Sequence, residues 1–214
     1  YVDEGYTDVI HVPINRSGSS TYNNAVMAQG MLREERPEHH LNIHLLDPHT
    51  YSMVFGWYLC EMARKLQNGA ELRHVISEFE TQMNKMEIIL GPYSLKQMKK
   101  SGRISAAAAV MGELMGIRPI ITLIDGKTRV ESKVRGDDKV IPAMIDLCKK
   151  RTEGVEDFDY MIGHTSIPQA AELEKACRKA FGKAPLTTFN LGGVVSANTG
   201  PDTLALVYVG KPRD

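Results

Sequence analysis

The turn Ser17-Gly18-Ser19-Ser20 holds the residues best suited to chemistry in this 214-residue chain. It follows an apolar stretch, Val9 to Ile14, and precedes a helical pattern that Ser20 or Thr21 can cap. Ligands of open α/β sheets sit at the carboxyl ends of strands, and free N–H groups at a following helix start favour an anion there. Three small hydroxyls add donors, and Gly18 allows a tight backbone. The same residues also fit an ordinary capped strand-to-helix loop, so position alone leaves both readings open. No GxxxxGK[ST] or GxGxxG pattern occurs, so this is neither a P-loop nor a dinucleotide turn.

Two further turns are candidates. Ser101-Gly102-Arg103-Ile104 places Arg103 after a glycine and before an apolar helix, as a surface residue or as an anion contact. Asn198-Thr199-Gly200-Pro201-Asp202-Thr203 reads as a polar turn ahead of the last strand, again a loop or a site. A metal site is not expected: His39, His40, His44 and His49 show no HExxH or Cys/His cluster and read as free surface histidines. His11 and His164 read as core or hydrogen-bonding residues, and no GxSxG elbow marks a catalytic triad.

The elements that must position these residues fall into two groups. Strands at 9–14, 41–46 and 87–90 alternate with a helix that begins after Ser20 or Thr21 and with helices near 51–66 and 71–85, an order that predicts a parallel α/β sheet. The first helix carries Tyr22, Val26, Met27 and Met31 at helical spacing. Beyond Gly91-Pro92 come short helices at 94–100 and 105–115. Strands at 119–124 and 128–133 then bracket Asp125-Gly126, a strong hairpin signal. Helices near 138–150 and 169–181 and strands near 160–163, 186–190 and 204–209 complete an α+β unit with a largely antiparallel sheet. Pro142 requires its helix to start late or to bend. The expected fold is therefore α/β with two domains, residues 1–98 and 99–214.

Composition narrows the function classes. Lysine plus arginine (26) balances aspartate plus glutamate (26), so no global charge draws the chain to nucleic acid or to a membrane surface. No apolar run approaches 18 residues, so stable membrane insertion is not expected. Cys60, Cys148 and Cys177 are odd in number, widely spaced and without a CxxC pair, which reads as reduced thiols of a cytoplasmic protein. Eleven methionines, Met27, Met53, Met62, Met111 and Met115 among them, read mostly as core, and such adaptable side chains also suit a channel for a flexible apolar chain. The chain begins at Tyr1, a few residues before a core strand, so an upstream portion of the domain is expected.

At this point the motifs resemble a known family. Val12-Pro13-Ile14 through Ser19-Ser20-Thr21-Tyr22, then Leu46-Asp47-Pro48 through Ser52-Met53, are similar to the DegV family's strand with its SSxLSGTY turn and its IDSxxxSMG stretch. Lys99–Ile104 resembles KKGGRI, Lys133–Gly136 resembles KVRG, and Thr199-Gly200-Pro201 resembles HTGPG, in order along nearly the whole chain. The resemblance implies a two-domain bacterial protein that binds a long-chain fatty acid between its domains. Some members serve as the acyl-carrying subunit of a fatty acid kinase and present the carboxylate to a separate ATP-using subunit.

Carried over residue by residue, Ser19 matches the serine that holds the carboxylate. Arg103 matches the arginine of the GRI motif that serves phosphotransfer. Asn198 stands where kinase-coupled members carry histidine. Asn15 and Arg16 replace small serines, Ser20 replaces a glycine, and the family's upstream segment has no counterpart here. The expectation is a lipid-binding protein that is not itself an enzyme, with a fatty acid as ligand and no cofactor. The alternative is an enzyme acting on a small anionic metabolite at the same turn.

Overall fold

The computed structural model describes residues 1–102 and 116–212. In it, β1 (Asp8–His11) pairs in parallel with β2 (Asn42–Leu45), and α1 (Thr21–Glu35) connects them. Helices α2 (Met53–Gln67) and α3 (Leu72–Met83) follow, separated by Gly69 in the left-handed region and by Glu71. The Glu71 carboxylate accepts the N–H groups of Arg73 and His74 and so caps α3.

The next strand overturns one expectation. β3 (Met86–Pro92) does not extend the parallel sheet; it lies between β4 (Ile117–Ile124) and β8 (Thr203–Val209), antiparallel to both. A continuous apolar run looks the same in a parallel sheet and in the centre of an antiparallel one. All seven β3 residues are buried, as both edges and both faces are covered. With β5 (Lys127–Arg135), β6 (Tyr160–His164) and β7 (Thr188–Asn190), the larger sheet has the order β5-β4-β3-β8-β6-β7, and only β6–β7 is parallel.

Alternation along these strands builds two cores. Ile89, Ile162, Leu204, Leu206 and Tyr208 face α5 (Val140–Arg151) and α6 (Gln169–Phe181), meeting Val140, Met144, Cys148, Leu173 and Cys177. Ile88, Leu90, Leu123, Ala205 and Val207 point the other way, into a cluster with Val54, Met62, Val75 and Phe79 of α2 and α3. α5 starts at Val140 after a 3-10 turn at Asp137–Lys139. Pro142 thus falls in the first helical turn, where its missing N–H costs nothing.

Two expectations about the first unit also change. β1 contains no fully buried residue. α1 buries none either: Val26, Met27 and Met31 are exposed, while Thr21, Asn24, Ala25 and Ala28 line a cavity over the larger sheet. The small side chains, not the large apolar ones, face inward. Met62 is buried as expected, Met53 is exposed, and Met111 and Met115 lie outside the described residues. Among the described residues no helix is long and apolar enough to cross a membrane.

Candidate functional site

β1 stops at His11, and the chain folds back on itself through Asn15–Ser20 before α1 begins. Asn15, which is buried, organises this turn. Its Oδ1 accepts from the Ser17 N–H and the Ser17 hydroxyl, each at 2.7 Å, and its own N–H donates to the Thr50 carbonyl at 3.1 Å. The local reason for asparagine here is this short side chain, which mimics a backbone turn. The Gly18 N–H then donates to the Asn15 carbonyl at 3.1 Å.

The capping hydroxyl is that of Ser19, not of Ser20 or Thr21. Ser19 Oγ accepts the Thr21 N–H at 3.3 Å, whereas Ser20 makes no side-chain cap. Accepting that bond leaves the Ser19 proton for donation elsewhere. No acidic residue occupies the first turn of α1, so the positive field of the helix start is not neutralised there.

Ser19 lines a cavity of about 1320 Å³. Pro13, Ile14, Gly18, Tyr51 and Ser52 line it with Ser19, and Ile88, Leu90, Leu123, Phe189, Ala205 and Val207 form an apolar floor. Asn198 and Thr199 line it as well, so the fold brings the first and last turns of the sequence to one place. Asn198 is not in a loop, however. It sits in the last turn of α7 (Gly193–Thr199), and its Nδ2 donates to the Val194 carbonyl at 2.8 Å. Of the residues that read as a polar turn, Asn198 and Thr199 end a helix bounded by Gly192 and Gly200, and the rest lead into β8. Arg103 lies outside the described residues; α4 (Lys96–Ser101) ends at Gly102, which is left-handed at φ 66°.

Residues read as bystanders turn out to pin the site. Asp47 accepts the N–H groups of Arg16 (3.4 Å) and His49 (2.9 Å), and its other oxygen is 3.3 Å from Arg16 Nε. His49 Nδ1 meets Asp125 Oδ1 at 2.6 Å. Asp125 and Gly126 form the tip of the β4–β5 hairpin, both at positive φ (49° and 71°), as an Asp-Gly pair demands. This tip presses on the serine turn: a Cβ on Gly126 would lie 2.3 Å from Asn15 Nδ2 and 2.4 Å from Ser17 Oγ. His49 itself is left-handed at φ 55°, an uncommon conformation for a non-glycine residue. His44 is not free either, pairing with Asp8 at 2.8 Å and holding that carboxylate below its ordinary pKa. The proline before His49 and the Asp-Gly hairpin were visible in the sequence; their meeting was not. Among the described residues no group of three or more His, Cys, Asp or Glu could hold a metal ion.

Comparison with known proteins agrees with this architecture. A DegV domain-containing protein of Clostridium perfringens is 31% identical over 204 residues, which span 94% of this chain and 70% of the relative. A stearic acid-binding protein from Eubacterium ventriosum superposes with a TM-score of 0.85 at 22% identity, over 98% of this chain and 72% of that one. A fatty acid-binding DegV family protein from Streptococcus agalactiae gives a TM-score of 0.81 at 25% identity, with coverage of 98% and 72%. The model of the DegV family matches residues 1–211, and the chain belongs to that family.

Proposed function

We propose that this protein binds a long-chain fatty acid, with the carboxylate at Ser19 and the tail over the apolar face of β3, β4 and β8. One observation carries the reading: a single cavity of about 1320 Å³ joins the Ser19 turn to a floor of Ile88, Leu90, Leu123, Phe189, Ala205 and Val207. A carboxylate needs donors and a positive field, which the Ser19 hydroxyl and the start of α1 supply. A tail needs buried apolar surface, each methylene contributing about 0.8 kcal/mol. A small anionic metabolite would leave that floor unused, and the S. agalactiae relative carries the name of a fatty acid-binding protein. The protein is on this reading a carrier and not a stand-alone enzyme.

The finer part of the proposal is presentation of the bound acid to a separate ATP-dependent kinase subunit, with Arg103 serving phosphotransfer and Asn198 beside the site. Asn198 lines the cavity in support of this, while its amide is already committed to Val194.

Native mass spectrometry of the protein purified from a lipid-containing host tests the binding. The expected result is an added fatty-acid mass that Ser19→Ala largely loses. Apo protein alone, with Ser19→Ala indistinguishable from wild type in acyl binding, sinks the reading. For the kinase step, Arg103→Ala should lower acyl phosphorylation and leave fatty-acid retention intact; equal loss of both would make Arg103 part of the binding site instead.

A further inference from the structure

Tyr51 sits between Thr50, whose carbonyl receives the Asn15 N–H, and Ser52, which opens α2. Its ring crosses to the serine turn so closely that a Cβ on Gly18 would lie 1.9 Å from the phenol oxygen and 2.8 Å from Cζ. Gly18 is therefore required for room: any side chain there would displace the tyrosine. Tyr51, Gly18 and Ser19 all line the same cavity. Among the described residues the Tyr51 hydroxyl has no hydrogen-bond partner, although its ring is half-buried. The hydroxyl oxygen is not itself fully buried, so it is open to a partner in the cavity that Tyr51 lines.

The phenol is also in the right protonation state to donate. Burial raises its pKa above the ordinary value, and the nearby Asp47 charge raises it further. Asp47 acts on the phenol through its charge alone: no hydrogen bond joins the two side chains, although Asp47 Oδ2 is buried without a hydrogen-bond partner. Next to Gly18, the Ser19 hydroxyl accepts the Thr21 N–H and keeps its proton to donate. Two O–H donors thus flank one glycine at one cavity wall, and a carboxylate brings two oxygens.

We infer that Tyr51 is a second hydrogen-bond donor to the ligand's carboxylate, sharing the head group with Ser19. This rests on the fatty-acid reading above, and it makes the Gly18–Tyr51 contact a determinant of head-group specificity. The tyrosine selects for an ionised head, since hydrogen bonds to a charged acceptor are the stronger kind.

Equilibrium dialysis of the delipidated full chain against labelled palmitate and labelled methyl palmitate tests it. The two probes share a tail and differ in head charge. Tyr51→Phe keeps the ring and should weaken palmitate binding roughly tenfold, the loss expected for one charge-assisted hydrogen bond, while methyl palmitate changes by less than about twofold. Gly18→Ala, which pushes the phenol aside, should reproduce the selective loss, and the double variant should be no worse than Tyr51→Phe alone. Equal weakening of both probes would reduce Tyr51 to a packing residue and overturn the inference. Unchanged palmitate binding in Tyr51→Phe would overturn it too, while wild-type palmitate binding kept the fatty-acid reading intact. Wild-type protein that binds neither probe would overturn both.

Discussion

His49 and Asp125 meet at 2.6 Å across the gap between the two sheets, one from the loop after β2 and the other from the β4–β5 hairpin tip. The same hairpin tip packs on the serine turn through Gly126, so the contact ties the loop after β2 to the larger sheet beside that turn. Both side chains remain partly exposed, 36% and 47%, which limits the pair to less than about 1 kcal/mol of stability. His49→Ala should therefore barely move Tm but speed fatty-acid release about two- to fivefold, a factor equivalent to that energy range. Stopped-flow release of bound fatty acid measures this; an unchanged release rate would mean the clasp is ornamental to binding.

Gly126 makes a stronger demand. Its φ of 71° is left-handed, and a Cβ there would lie within 2.4 Å of Asn15 Nδ2 and Ser17 Oγ. Gly126→Ala should cost about 1–3 kcal/mol and shift the turn that carries Ser19. Denaturant unfolding and fatty-acid affinity are expected to fall together. A stable variant with wild-type affinity would show that the hairpin tip yields easily.

Glu87 is a buried carboxylate on the sheet's central strand. It accepts from Arg151 and, at 2.6 Å, from the Tyr208 hydroxyl, which burial and the carboxylate together hold far above its usual pKa. Glu87→Gln leaves Arg151 without a counter-charge in a site only partly open to solvent. About 2–3 kcal/mol should be lost, or a fall in Tm of about 5–10 °C for a chain of this size. Scanning calorimetry reads it directly, and since Glu87 lies away from the cavity lining, fatty-acid affinity below the transition should hold.

The cysteines give a pH test. Burial pushes the Cys177 thiol up to about 12, and Cys148, also buried, is raised above its ordinary value. An unfolded thiol titrates near about 8.5. Because the native state favours the protonated thiol, its stabilising effect is complete below the unfolded pKa and is lost as pH rises from there toward the folded value. Stability should decline between about pH 8.5 and 12. At pH 8 a thiol reagent should label Cys60, which is exposed, and reach Cys148 and Cys177 only on unfolding. Rapid labelling of all three in the native protein would contradict the burial.

The sequence by itself determined what depends on neighbours along the chain. Alternation and turn chemistry marked nearly every strand and helix, the Asp125-Gly126 hairpin and the turn containing Ser19, because φ/ψ preferences and capping act within a few residues. Ordered motifs identified the family. Tertiary structure decided which edges and faces meet. β3 joined the antiparallel sheet because β4 and β8 offered it two edges, information that a run of buried apolar residues does not contain. The same holds for α1, whose alanines and not its methionines face the cavity. Asn198 reached the cavity wall at the end of a helix and not in the polar turn expected for it. Tyr51 against Gly18 and His49 against Asp125 are contacts between segments whose local sequences show no mark of one another. Local rules placed the serine at a turn; only the folded chain placed an apolar floor beneath it.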